Sequence, residues 1–232
     1  MNRIIVITGT RKGLGFQLCN FFLEEGDFVY GCSRRDSQID HKRYTHFRLD
    51  VSSEKDVILM IRQIYKEQKR IDILINNAGI ASMNHFLLTP YSTAQKLFNT
   101  NFMGTFLMCR EVAKCMVKAK YGRIINYSTV AVALNLQGEL VYSSSKASVE
   151  QLTRVLSKEI GNFGITVNAI APTPISTDLI KNVPENKIQE LIEMQSIKRI
   201  GKFEDVLNVI KFYIAPESDF ITGQVIYLGG IN

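Results

Sequence analysis

A chain of 232 residues, 46% hydrophobic, 22% charged and with only 5 prolines, is long enough to bury a sizeable core as one domain. Its apolar stretches fall short of the roughly 18 residues that cross a bilayer, and the opening MNRIIVITGT is too short in apolar run for a signal peptide, so a cytoplasmic protein without membrane contact is expected. The net charge of +6 is spread along the chain, which argues against nucleic acid; the four cysteines form no C-x-x-C pair and the three histidines lack ligand spacing, so no metal site is expected.

The first apolar run, IIVIT at 4–8, reads as a buried strand. It passes into TGTRKGLG, Thr8 to Gly15, and then into the helical spacing of Leu14, Leu18, Phe21 and Glu25. Glycines at 9, 13 and 15 permit a tight turn, close backbone approach to a pyrophosphate and close helix packing, while the helix start offers free N–H groups and a positive dipole end. Gly9, Arg11, Lys12, Gly13, Leu14 and Gly15 are therefore candidates for holding a dinucleotide. The second run, FVYGC at 28–32, ends in GCSRRD. A dinucleotide fold usually places an acid at this corner for the adenosine ribose. Arg34 and Arg35 stand there instead, and with Lys12 they suit a 2′-phosphate, so NADP(H) is expected rather than NAD. A pair of solvated surface arginines beside Asp36 is the plain alternative.

Further strands are read at IDILI 71–75, RIINY 123–127, ITVNAI 165–170 and QVIYL 224–228, with helical spacing between them, as in Val149, Leu152, Leu156 and Ile160, and a helix over 204–214. Strand and helix in alternation predict an α/β fold: a doubly wound parallel sheet of Rossmann type, in a single domain over 1–232. The polar, proline-punctuated segment 173–201, with a short helix after Pro184, is expected to serve as a substrate lid beside the strand ends.

Two further stretches, YSTV at 127–130 and YSSSK at 142–146, carry hydroxyls and a cation. Tyr142 and Lys146 lie one helical turn apart and share a face. A nearby cation favours tyrosinate and pulls the phenol from about 10 toward neutrality. Tyr142 can then exchange a proton with a carbonyl or alcohol oxygen while hydride moves to or from a nicotinamide. Taken alone, YSSSK is equally an amphipathic helix start with a snorkelling lysine.

With TGTRKGLG, NNAG at 76–79, Asn101 and YSSSK in this order, followed by NAIAPTPISTDL at 168–179 and FITGQVIYLGG at 220–230, the chain resembles the short-chain dehydrogenases/reductases along essentially its whole length. In appearance it is nearest to the 3-oxoacyl-acyl-carrier-protein reductases. The resemblance implies that Asp50 and Val51 lie against adenine, and that Asn77, Ala78 and Gly79 line the adenosine ribose. It puts Tyr142 and Lys146 beside the nicotinamide ribose, and Pro172, Ile175 and Thr177 at the nicotinamide. Asn101 would keep a water-linked proton path.

The implied reaction is NADP(H)-dependent reduction of a ketone, or oxidation of a secondary alcohol, with a 3-oxoacyl thioester as one substrate and a sugar or small alcohol as the alternative. A non-catalytic NADP-binding regulator is the reading outside catalysis. Helices over roughly 93–118 and 142–161, with the last strand, would pack against symmetry mates in a homotetramer. Two departures stand out. Thr173 occupies a position that is usually Gly, and of two places that are basic in the carrier-protein reductases, one holds Lys120 and the other Phe163, which leaves acyl carrier protein open as a partner. Alignment puts Thr129 where the family's catalytic serine stands. If the strand runs extended through 129, Ser128 and Thr129 point to opposite sides and only one faces the cleft, so Thr129 is expected to be the working hydroxyl.

Overall fold

The computed structural model describes residues 2–176 and 185–231. Seven strands, β1 (Ile4–Thr8), β2 (Phe28–Ser33), β3 (Tyr44–Arg48), β4 (Ile73–Asn76), β5 (Gly122–Tyr127), β6 (Ile165–Ala171) and β7 (Val225–Tyr227), form one sheet. Their order is β3-β2-β1-β4-β5-β6-β7, and every pairing is parallel. Eight α-helices accompany them among the described residues: α1 (Gly13–Glu24), α2 (Glu54–Gln68), α3 (Tyr91–Phe98), α4 (Gly104–Ala119), α5 (Ala131–Leu134), α6 (Leu140–Ile160), α7 (Glu185–Met194) and α8 (Phe203–Ile214).

Strand alternation sorts the core into two layers. Ile4 and Val6 join Leu74, Ile124 and Val167 on one face, under Val57 and Met60 of α2 and Met108 and Val112 of α4. Ile5 and Ile7 join Ile73, Ile75 and Ile125 on the other, under Leu18 and Phe22 of α1 and Val206 and Ile210 of α8. Both faces are covered, which is why these strands read as unbroken apolar runs. The strand order reverses between β1 and β4, so the loops that leave their C-terminal ends diverge and open a crevice there.

Three details differ from the sequence reading. The edge strand β3 was not expected, because its residues are only half-buried or exposed and carry no apolar run. The expected single helix over 93–118 is interrupted by a π-turn at Asn99–Met103, where the Gly104 N–H reaches back to the Asn99 carbonyl. Strand β5 stops at Tyr127 rather than running extended through 129, although the Ser128 N–H still reaches Ile170 O (2.8 Å) and the Val130 N–H reaches Pro172 O (3.3 Å). Among the described residues no helix is long and apolar enough to cross a membrane.

Candidate active site

The loop after β1 and the loop after β4 are tied together at the base of the crevice. Asn77 Nδ2 donates to Thr8 O (2.9 Å) and Gly9 O (3.2 Å), and the Ala78 N–H donates to Thr8 Oγ1 (2.8 Å). Gly9 has φ +74°, and a Cβ there would lie 2.9 Å from Asn77 Nδ2, so the close approach of the two loops requires glycine. At Gly13, by contrast, an added Cβ would meet nothing within 4 Å. The start of α1 therefore has open space over it, flanked by the exposed Arg11 and Lys12, with Leu14 half-buried and Gly15 buried behind.

The other predicted cofactor residues surround this opening. Arg34 and Arg35 are exposed on the turn that leaves β2. Asp50 Oδ1 accepts from Ser52 N (2.9 Å) and Ser52 Oγ (2.7 Å), and the buried Val51 packs against Gly104 at the start of α4. Pro172 O accepts from Val130 N at 3.3 Å, and buried Ile175 forms an isolated bridge with Gly201. Thr177 and the part of the expected lid at 177–184 lie outside the described residues.

At the β5–α6 side, Asn101, Lys146 and Gly79 converge: a Cβ on Gly79 would sit 3.4 Å from both Asn101 Oδ1 and Lys146 Nζ. Asn101 is fully buried in the π-turn. Its carboxamide accepts from Ile80 N (2.9 Å) and donates to Ile80 O (2.9 Å) and Ser145 Oγ (3.0 Å), and Ser145 in turn donates to Tyr142 O (2.7 Å). Ser145, which the sequence reading passed over, thus links Asn101 to the helix that carries Tyr142 and Lys146; its only sequence signal was its place between them.

Lys146 Nζ donates to Tyr127 O at 2.8 Å, and burial lowers its pKa to about 8. The Thr129 side chain acts on the Tyr142 hydroxyl in the sense that favours phenolate. The Tyr142 pKa is pushed up to about 12, chiefly by burial; Thr129 opposes this and the Glu139 carboxylate adds to it. The expectation of a phenol drawn toward neutrality by Lys146 is not met: the shift runs upward and Lys146 is not among its causes. Desolvation dominates, and the ammonium is directed at the Tyr127 carbonyl.

The adjacent hydroxyls diverge although the strand ends before them. Ser128 Oγ donates to Glu150 Oε1 (2.6 Å), a buried carboxylate that also accepts from Tyr227 OH (2.6 Å) and pairs with Arg154 (3.2 Å). Thr129 alone of the two reaches Tyr142.

Residues 3–188 match the short chain dehydrogenase family. The chain belongs to that family. It is accordingly an oxidoreductase that works with a nicotinamide cofactor. A subunit of (2S)-[(R)-hydroxy(phenyl)methyl]succinyl-CoA dehydrogenase, BbsD of Thauera aromatica, is 34% identical over 238 residues, covering 99% of this chain and 96% of the relative. The 3-oxoacyl-[acyl-carrier-protein] reductase FabG of Buchnera aphidicola is 30% identical, covering 97% and 95%. Among solved structures, ElxO with NADP bound superposes with a TM-score of 0.90 at 29% identity, covering 98% of this chain and 97% of that one.

Proposed function

We propose that this family member is an NADP(H)-dependent ketoreductase, reducing a ketone or oxidising the matching secondary alcohol, with Asn101, Thr129, Tyr142 and Lys146 as its catalytic group. The observation that carries the reading is the convergence of Asn101 and Lys146 on Gly79 at the crevice, with Thr129 acting on a Tyr142 phenol that burial keeps protonated. A proton-loaded Tyr142 is poised to give its proton to a substrate oxygen, which is the reductive direction. Thr129 donates to that same oxygen as charge develops on it, the role of an oxyanion donor. Lys146 holds a cation beside Gly79, and Asn101 fixes α6 through Ser145.

The open, glycine-walled start of α1 fits a pyrophosphate, which Gly9, Gly13 and Gly15 would admit and the helix N-terminus would attract. Asp50 and Val51 would hold adenine, Asn77, Ala78 and Gly79 the adjoining ribose, and Pro172, Ile175 and Thr177 the nicotinamide end. The bound nicotinamide supplies or takes the hydride. Arg34, Arg35 and Lys12 would neutralise the 2′-phosphate, a preference supported by the NADP named in the ElxO structure.

For the substrate, a 3-oxoacyl thioester is favoured, since the names of both sequence relatives place the acyl group on CoA or a carrier protein. A sugar is the second reading, supported by a structural neighbour described as an aldohexose dehydrogenase, 27% identical with a TM-score of 0.89. Segment 173–201 is proposed to close over either. The test is a panel of 3-oxoacyl-CoA, simple ketones and aldoses with NADPH and NADH. Faster oxidation of NADPH with the thioester is expected. Turnover of aldoses alone favours the second reading, and NADPH binding without turnover of any carbonyl leaves a regulator.

A homotetramer is also proposed, because Met103 and Phe106 at α4 and Val155 on α6 are exposed apolar side chains on the helices that would pair. Light scattering at micromolar concentration checks this, and a monomer refutes it.

A further inference from the structure

The geometry points to His46, on the edge strand β3, as a positioning residue that sets cofactor selectivity by holding the backbone of the Arg34–Arg35 turn. This rests on the NADP(H) reading above. His46 pairs with Gly31 across the β2–β3 ladder, so its ring lies beside the turn that leaves β2.

The ring is the middle link of a hydrogen-bonded chain. Thr10 Oγ1, in the glycine loop, lies 3.0 Å from Tyr44 OH, and Tyr44 OH lies 2.9 Å from His46 Nδ1. On the far side His46 Nε2 lies 3.0 Å from the Arg35 carbonyl oxygen, which also accepts from Ser33 Oγ at 2.5 Å. A carbonyl can only accept, so Nε2 carries the proton, and a neutral ring then leaves Nδ1 as an acceptor. Tyr44 must donate to it, which a phenol with its pKa pushed up to about 12, mainly by burial, is well able to do. Tyr44 oxygen in turn accepts from Thr10. One carbonyl thus orients every bond from the arginine turn back to the pyrophosphate loop.

Gly31 is what makes room for this chain. A Cβ there would run into the Tyr44 hydroxyl and lie 2.6 Å from Thr10 Oγ1. Arg34 and Arg35 themselves are exposed. With solvated guanidinium groups, readiness to meet a phosphate depends on a backbone already in place, because ordering it on binding subtracts from affinity. His46 and Ser33 supply that order through two donors on one carbonyl.

The experiment measures NADPH and NADH dissociation constants by titration calorimetry for the wild type, His46→Leu, His46→Gln and Ser33→Ala, with thermal melts to confirm folding. His46→Leu is expected to weaken NADPH by about threefold to tenfold, the scale of one hydrogen bond, and to leave NADH within about twofold. Glutamine, able both to donate to the carbonyl and to accept from Tyr44, should restore most of the preference. Ser33→Ala removes the other donor and should shift selectivity in the same sense, which keeps the inference testable if the leucine variant does not fold. Parallel loss of both cofactors, or wild-type selectivity in folded His46→Leu and Ser33→Ala, overturns the inference while the NADP(H) reading stands. Equal wild-type affinity for the two cofactors overturns both.

Discussion

Asn101, Ser145 and Lys146 on the β5–α6 side of the crevice are buried and hydrogen-bonded through their own side chains, whereas Arg34 and Arg35 on the β2–β3 side are exposed, with the Arg35 backbone carbonyl held by His46 and Ser33. The difference follows the task each side would perform. Proton transfer needs specific atoms at fixed places in a dry setting, where a misplaced hydroxyl is costly. Recognition of a phosphate needs charge within reach, and solvated guanidinium groups provide it with modest positional demand.

The comparison breaks first at Thr129. If side-chain placement governs the dry side, Thr129→Val should lower turnover by about 10²-fold, the scale of one lost oxyanion donor, and Thr129→Ser should retain activity. Ser128→Ala should matter much less, since its hydroxyl is committed to Glu150. Turnover abolished by Ser128→Ala in a protein that still binds NADPH, with Thr129→Val active, would reverse the assignment.

On the wet side the expected change is smaller and confined to one cofactor. Arg34→Ala should cost NADPH at least about tenfold in affinity and spare NADH, as for the loss of a charge-assisted hydrogen bond. Equal losses in a fluorescence titration of the two cofactors would show that the arginines do not read the 2′-phosphate.

The smallest effect sharpens the electrostatics of the dry side. The Glu139 carboxylate raises the Tyr142 pKa, because a neighbouring negative charge disfavours phenolate. Glu139→Gln removes that charge, so Tyr142 should ionise more readily, and the rise of the alcohol-oxidation rate with pH should move down by less than about one pH unit. A shift to higher pH would mean that Glu139 acts on Tyr142 through something other than its charge.

Most of the sheet was legible because strands covered on both faces read as apolar runs, as IIVIT and RIINY do. Strand β3 was not, since Tyr44 and His46 sit at an edge, half-buried, in a hydrogen-bonding role that is invisible to hydropathy. At the site, residue types and order were readable, but partners were not. Nothing in YSSSK tells that the Lys146 ammonium turns to the Tyr127 carbonyl, or that Ser128 meets a glutamate 22 residues away. Such pairings depend on how β5 and α6 are placed side by side, which local spacing does not encode.

The π-turn at Asn99–Met103 has one more effect on the architecture. A residue in an α-helix advances the side-chain direction by about 100°, so a turn with one residue in surplus puts the segments before and after it out of phase by about that angle. The rod from Tyr91 to Ala119 therefore works like a shaft with two offset cams: α3 bears on α6, while α4 also bears on α2 and the sheet. Asn101 sits at the offset itself, with its carboxamide closing a two-point bond to Ile80 in the manner of a strand neighbour. A single-residue deletion there would restore an even helix and, in the same stroke, turn one of the two bearing faces away from its partner.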